Sequence, residues 1–287
     1  MHPFEYAAPA TVDDALGLLV EHGAEAKVLA GGQSLVPILN YRLAKPRIVV
    51  DINDLPLAAI RVEDGRLTLG ALVRHHHLEE SADVARHCPV LTEAAGLVGN
   101  VRVRSLGTLG GSVAHADPAA ELPLALVALG ARIGVRSARG RRTIEARGFF
   151  TGFLSTALAP DELLTEVEVP VMRGAGSAIE EVARRAGDFA LVAALAVVGL
   201  DRRGRVETAR LAFAGVGPTP ARVVAAEEAL VGQEPSADRL AHAAALAAEG
   251  LDPQSDPFAS AAYRRLLARV LARRALTRAV VRAMGVL

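Results

Sequence analysis

Lysine is almost missing from this 287-residue chain, where Lys27 and Lys45 are the only two among 32 Lys and Arg. Chemistry that needs a Schiff-base amine or a phosphate-loop lysine is therefore not expected, and no G-x-x-x-x-G-K occurs. Cysteine is rarer still. The single Cys88 excludes an internal disulfide and cannot supply the thiolates of a [2Fe–2S] cluster, so any such centre belongs to another chain. Followed by Pro89, it reads as a small buried apolar residue. Net charge is absent too: 32 basic residues against 32 acidic ones leave no overall field to draw nucleic acid or an anionic membrane. No apolar stretch reaches the ~18 residues that span a bilayer, and "MHPFEYAAPA" lacks the basic and apolar parts of a secretory signal. A cytoplasmic location is expected.

What is present is apolar residue and glycine. At 51% hydrophobic content the chain can build one large domain or two or three smaller ones. Thr11, with Asp14 three residues on and Ala15, Leu16, Leu19 and Val20 at helical spacing, predicts a helix that Gly23 ends. "AKVLA" is a short strand, "SLVPILNYRLAKP" a second helix and "RIVVDIND" a second strand, giving a small β-α-β unit with a glycine turn after its first strand. The middle third opens with the strand "GRLTLGAL" after the turn Asp64–Gly65. A helical stretch holding "VRHHHLEESADVARH" and another around "PVLTEAAGLVG" follow. The first part of "RSLGTLGGSVAHADPAAELPLALVALG" reads as loop preceding a buried helix "ELPLALVALG", and "ARIGVRSARGRRTIEA" as a hairpin. Past a boundary near "VPVMRGAGSA" come two antiparallel strands and three helices. The last helix is expected to bury Tyr263, Leu266, Leu267, Val270 and Leu271 and to turn Arg264, Arg265, Arg269 and Arg273 away.

Two glycine clusters carry the chemistry. Gly31 and Gly32 lie in "VLAGGQSLVP"; Gly107, Gly110 and Gly111 lie in "GTLGGS". Main-chain N–H groups bared by such turns, with the hydroxyls of Ser34, Thr108 and Ser112, make an uncharged cradle for a diphosphate. Either pair alone is an ordinary tight-turn signal. "RHHHLEES" offers His75 and Glu79 at i and i+4, but consecutive histidines diverge on a helix, and a surface helix start outweighs a metal site. His115 and Asp117 read as structural groups beside the second cluster.

Taken together, "LAGGQSLVP", "YRLAKPRIVVDINDL", "GTLGGSVAHADPAAELP", "FFTGFLSTALAPDELLTEVEVP", "RRAGDFALVAA" and "YRRLLARVLARRAL" resemble the FAD-binding medium subunit of molybdenum hydroxylases, the family of carbon monoxide dehydrogenase and xanthine dehydrogenase. The likeness runs through essentially the whole chain. It implies an α+β protein: a two-subdomain FAD-binding fold of the vanillyl-alcohol-oxidase or PCMH type (residues 1–57 and 58–175). A C-terminal flavoprotein domain of a three-stranded antiparallel sheet with helices (176–287) would follow. Carried residue by residue, it implies that Val28, Leu29, Ala30, Gly31, Gly32, Gln33, Ser34 and Leu35 wrap one side of FAD, with Thr108, Leu109, Gly110, Gly111 and Ser112 closing on the diphosphate from the other. Glu121 would contact the adenosine part, Leu164 the flavin, and Phe189 would shield one flavin face.

The resemblance further implies an electron-transfer role. Electrons would arrive from a small [2Fe–2S] subunit, after substrate oxidation on a large molybdopterin subunit in a dimer of heterotrimers, and leave for an external acceptor. Two departures stand out: Ser112 replaces the usual Asn of T-I-G-G-N, and Arg102, Val103, Arg104, Ser105 replace Q-I-R-N. A hydroxyl offers fewer hydrogen bonds than an amide. A self-sufficient FAD oxidase and a cofactor-free scaffold are the rival readings.

Overall fold

The computed structural model describes residues 1–285, whose main strands form three sheets in chain order. The first joins β1 (Glu5–Ala7), β2 (Ala26–Leu29) and β3 (Ile48–Asp51), all parallel, with β3 in the middle. Parallel strands need crossovers, supplied here by α1 (Val12–His22) and α2 (Leu35–Asn40). The sequence signals for α1 operate as read: the Asp14 N–H donates to Thr11 Oγ1 at 3.1 Å, and Gly23 ends the helix at φ +50°. Ala15, Leu16 and Leu19 pack with Val50 and Ile52, whereas Val20, read with them in the same apolar pattern, is 54% exposed. The expected β-α-β unit gains β1, a three-residue strand whose partner lies beyond α2.

The second sheet is antiparallel, in the order β4 (Ile60–Glu63), β5 (Arg66–Gly70), β10 (Leu163–Pro170), β6 (Arg132–Ser137), β7 (Gly140–Glu145). Between β5 and β6 runs a helical layer: α3 (His75–Glu80), α4 (Ala82–His87), α5 (Pro89–Leu97), α6 (Val101–Leu106), α7 (Leu109–His115) and α8 (Glu121–Leu129). The helix expected across the histidines divides at Ser81, whose hydroxyl accepts from the Val84 N–H at 3.3 Å and so starts α4. The segment read as loop is helical. Asn100 caps α6, Thr108 caps α7, and Gly110 and Gly111 therefore sit inside the first turn of a helix instead of preceding one. After α8, buried along its whole length, come the hairpin β6 (Arg132–Ser137) and β7 (Gly140–Glu145), a short α9 (Ala146–Phe149), and the ribbon β8 (Phe150–Gly152) and β9 (Ser155–Thr156). β10 (Leu163–Pro170) then returns to the sheet centre.

The third sheet is also antiparallel: β11 (Gly176–Ala183), β12 (Ala190–Leu200), β13 (Val206–Ala214) and β14 (Ala221–Arg222). It has four strands where three were expected, the fourth only two residues long. Helices α10 (Val224–Glu228), α11 (Ala237–Glu249) and α12 (Ala261–Ala283) follow. The expected face of α12 is corrected. Tyr263 and Leu266 are 44% and 57% exposed, while the buried stripe holds Arg264, Ala268, Leu271, Ala272, Ala275, Leu276, Ala279 and Val280. Alanine allows close approach: a Cβ on Gly176 of β11 would lie 2.0 Å from the Ala279 carbonyl oxygen. The Arg264 guanidinium is tolerated inside because it donates to the Leu191 and Gly215 carbonyls and the Asp256 carboxylate. Arg282 reaches Glu93 of α5 at 2.6 Å, tying the third sheet's helix to the second layer. Among the described residues, no helix is long and apolar enough to cross a membrane.

Candidate functional site

The first wall of the site is the turn between β2 and α2. A Cβ on Gly31 would fall 2.2 Å from the Leu106 carbonyl oxygen and 2.7 Å from Gly107 Cα, so the two glycine segments, 76 residues apart at Gly31 and Gly107, touch through their main chains. Only glycine permits that approach. Gly32 has φ +70°. Among the described residues, the main-chain N–H groups of Gly31, Gly32, Gln33 and Ser34 meet no protein acceptor, whereas the Gln33 side-chain amide donates to Gly31 O at 2.8 Å. This wall presents open donors.

The second wall differs from its expected role. Leu109 N–H donates to Val73 O at 2.9 Å, Gly110 N–H to Ala71 O at 2.8 Å, Gly111 N–H to Thr108 Oγ1 at 3.1 Å and Ser112 N–H to Thr108 O at 3.0 Å. The main-chain donors of residues 109–112 are thus engaged within the fold, whereas that of Thr108 meets no protein acceptor among the described residues. Gly110 is glycine because a Cβ would meet Ala71 Cβ at 2.7 Å; at Gly111, beyond its own helix backbone and among the described residues, a Cβ would meet Thr108 Oγ1 alone, also at 2.7 Å. What this wall offers a ligand is the Thr108 N–H and the Ser112 hydroxyl, together with the remaining capacity of the Thr108 hydroxyl, which is buried and already accepts from Gly111.

Between the walls lies a cleft of about 640 Å³, within the range of cofactor sites. Val28, Ala30, Gly31, Gly32, Gln33, Ser34 and Leu35 line it from one side, and Thr108, Gly110, Gly111 and Ser112 from the other. Glu121, Leu164 and Phe189 are also at its surface. Two singled-out residues are elsewhere: Leu109 is fully buried in the core beneath α7, and Leu29 faces an adjoining cavity on the outer side of the first turn. Leu154, Leu158 and Leu163 line the cleft too, beside Leu164 and the 59%-exposed Phe189, as do Glu162 and Asp188. Gly99 and Val103 contribute as well. Leu154 sits at φ +50°, which no local signal in "TGFLST" announces.

The histidine run is not a surface feature throughout. His75 is 4% exposed and lines the cleft beneath Gly107, where a Cβ would strike its ring at 2.8 Å. Burial pushes His75 down to about 4; the Thr108 main chain opposes this in part without good hydrogen-bond geometry, and neither ring nitrogen has a partner. Glu79 does not join it. That carboxylate accepts from Arg104 Nε at 2.8 Å instead. Glu121, 3% exposed, is pushed up to about 8 by burial, reinforced by the nearby charges of Glu181 and Asp117. Burial likewise lifts Glu181 to about 7, and its Oε2 is unpartnered. Near neutral pH this corner holds protons, so it can donate hydrogen bonds.

A cleft of dinucleotide size, with open amides along one wall, hydroxyls on the other, and Lys27 and a group of leucines also at its surface, defines a nucleotide-cofactor protein. The chain belongs to the family described as "FAD binding domain in molybdopterin dehydrogenase", whose model matches residues 2–172; a "CO dehydrogenase flavoprotein C-terminal domain" model matches residues 177–279. It is an oxidoreductase flavoprotein subunit, and its cofactor is FAD. The 6-hydroxypseudooxynicotine dehydrogenase complex subunit alpha of Paenarthrobacter nicotinovorans is 41% identical over 98% of this chain and 95% of that protein. The carbon monoxide dehydrogenase medium chain of Afipia carboxidovorans is 37% identical over 98% of each. Among solved structures, a carbon monoxide dehydrogenase from Hydrogenophaga pseudoflava superposes with a TM-score of 0.95 at 37% identity, covering 98% of this chain and 99% of that one.

Proposed function

We propose that this chain is the electron-relay subunit of a molybdenum hydroxylase complex. It would take electrons from the [2Fe–2S] clusters of a small subunit and pass them to an external acceptor, while substrate is oxidised on a large molybdopterin subunit. The observation that carries the reading is the contact of Gly31 with Leu106 and Gly107, which makes one cleft from two glycine segments. Relatives named as subunits of dehydrogenase complexes support the assembly. A dimer of heterotrimers in the cytoplasm is the arrangement proposed. Neither the self-sufficient oxidase nor the cofactor-free scaffold gains an observation in its favour.

FAD held here supplies the exchange between single electrons and electron pairs. The chain's share is to bind, orient and shield. Gly31 to Ser34 would hold the diphosphate through open N–H groups, with Thr108 and Ser112 adding hydroxyls; Glu121 would meet the adenosine part; Leu164 and Phe189 would pack on the flavin ring. Leu29 and Leu109 would act only by supporting these segments. On this reading the PCMH-type subdomains are residues 1–57 and 58–175, and the C-terminal domain, 176–287, brings Phe189 to the cleft.

Co-expression with candidate partner subunits tests the role. A yellow complex that retains iron and molybdenum, and whose flavin is bleached anaerobically by the complex's substrate but not when the isolated chain meets that substrate, is expected. Bleaching in the isolated chain at the same rate would overturn the relay in favour of a direct oxidase.

A further inference from the structure

Contact between Gly31 and Leu106 brings the two walls together, yet van der Waals contact alone leaves their spacing soft. A line of hydrogen bonds behind the first turn makes it stiff. Arg74, at the N-cap of α3, donates from one guanidinium nitrogen to the Leu106 carbonyl and from another to Asn53 Oδ1 at 2.7 Å. Asn53 Nδ2 in turn donates to the Ala30 carbonyl at 2.9 Å and to Asp51 Oδ1 at 2.6 Å. The far carboxylate oxygen of Asp51 accepts from the Tyr6 hydroxyl at 2.7 Å. Leu106 leads into the second wall and Ala30 into the first, so the pair Arg74–Asn53 spans both. Neither residue lines the cleft; both line an adjoining cavity of about 620 Å³ that shares Ala30, Gly31, Gly32 and Gln33 with it.

We propose that Arg74 and Asn53 form a latch that sets the gap between the two glycine segments and thereby the affinity of the cleft for FAD. They are positioning residues. The ligand rests on the flavin reading above, while the latch itself is a property of the chain. Arginine suits the task because its planar fork holds two acceptors at a fixed angle, which a lysine ammonium does not. The Asn53 amide completes it, since it accepts on one side and donates on the other.

The test uses the full-length chain, together with whatever subunits co-purify, in the forms R74K, R74Q, N53A and R74Q/N53A. FAD affinity is read from flavin fluorescence, and amide hydrogen exchange is followed in the FAD-free protein. Both Arg74 variants and N53A are expected to weaken FAD binding about tenfold, the scale of one charge-assisted hydrogen bond. Each is also expected to speed exchange together at the hydrogen-bonded amides anchored to both segments, those of Val36, Ile38 and Ile52 on one side and Gly107 and Leu109 on the other. The double variant should be no worse than the weaker-binding single, because one latch breaks once. Wild-type affinity in R74K beside a loss in R74Q would replace the latch with simple charge attraction. Exchange that rises in one segment only, or strictly additive losses in the double variant, would also overturn it. Should R74Q fail to fold, R74K and N53A carry the comparison. Should the wild-type chain take up no FAD, the flavin reading fails and the exchange pattern alone decides the latch.

Discussion

At Gly31 a methyl group would meet the Leu106 carbonyl oxygen at 2.2 Å, on the opposite wall of the cleft; at Gly111 it would meet Thr108 Oγ1, three residues back at the cap of its own helix. The two segments share a glycine pair followed within two residues by a hydroxyl, and the fold uses them differently. Among the described residues, the first wall keeps its N–H groups of residues 31–34 without protein acceptors, while the second spends those of residues 109–112 on Val73, Ala71 and Thr108. A glycine pair therefore reports close backbone approach and leaves open whether the amides are free. On the proposed reading the first wall would act through its main chain, and the second chiefly through the side chains of Thr108, Ser112 and Glu121.

Gly31→Ala attacks that division hardest. The colliding atom is a backbone carbonyl that cannot turn aside, so the walls must part. The purified variant is expected to be colourless, and its FAD-free form to melt well below wild type. A Gly31→Ala chain that keeps its flavin spectrum would show that the walls do not touch in solution.

Next comes Glu121→Gln, which probes the side-chain wall through pH. Burial holds the Glu121 carboxyl at about 8 against an ordinary 4.5, so the folded state prefers its protonated form. Below pH 4.5 folded and unfolded chains are both protonated and nothing is lost. Between 4.5 and 8 the unfolded chain releases a proton that the folded one keeps, and stability falls as pH rises. At about 1.4 kcal/mol per pH unit the accumulated penalty is a few kcal/mol by pH 8. The glutamine variant should match wild type at pH 5 and melt progressively higher above it in FAD-free thermal scans. Parallel melting curves across that range would remove Glu121 from the buried corner.

Gly110→Ala sharpens the contrast within the second wall. The new methyl meets Ala71 at 2.7 Å in a fully buried layer, an overpacking cost of about 2 kcal/mol that denaturant unfolding would register. Gly111→Ala should be nearly neutral, because gained helix propensity, about 0.5–1 kcal/mol, offsets a displaced Thr108 hydroxyl. Equal costs at the two positions would mean that the helix does not pack as described.

Much of this organisation was legible along the chain because its signals are local. Thr11 and Gly23 delimit α1, Asp64–Gly65 turns the β4–β5 hairpin at positive φ, and the polar turn after β12 returns β13 antiparallel. What escaped depends on distant partners. β1 is a strand only because β3 lies beside it, and α7 is helical despite two glycines because Ala71 and Val73 receive its first amides. Arg264 enters the core because carbonyls of Leu191 and Gly215 await it. In the site, fourteen of the sixteen singled-out residues line one cleft; Leu29 and Leu109 follow their neighbours in sequence but point away from it. His75 stayed hidden because three consecutive histidines read as solvent-facing, and Gly107 buries the first of them.

The mildest test concerns Ser112, where the resemblance leads one to expect asparagine. Its main-chain N–H is committed to Thr108 O at 3.0 Å, so whatever it gives a ligand must come from its side chain, which lines the cleft. A hydroxyl donates one hydrogen bond and an amide two. Ser112→Asn should therefore strengthen FAD binding by a few-fold, the value of roughly one neutral hydrogen bond, while leaving the melting temperature of the FAD-free chain in place. An unchanged dissociation constant would mean that the second wall meets the cofactor through Thr108 alone, and the contrast between amide wall and side-chain wall would narrow to a single hydroxyl.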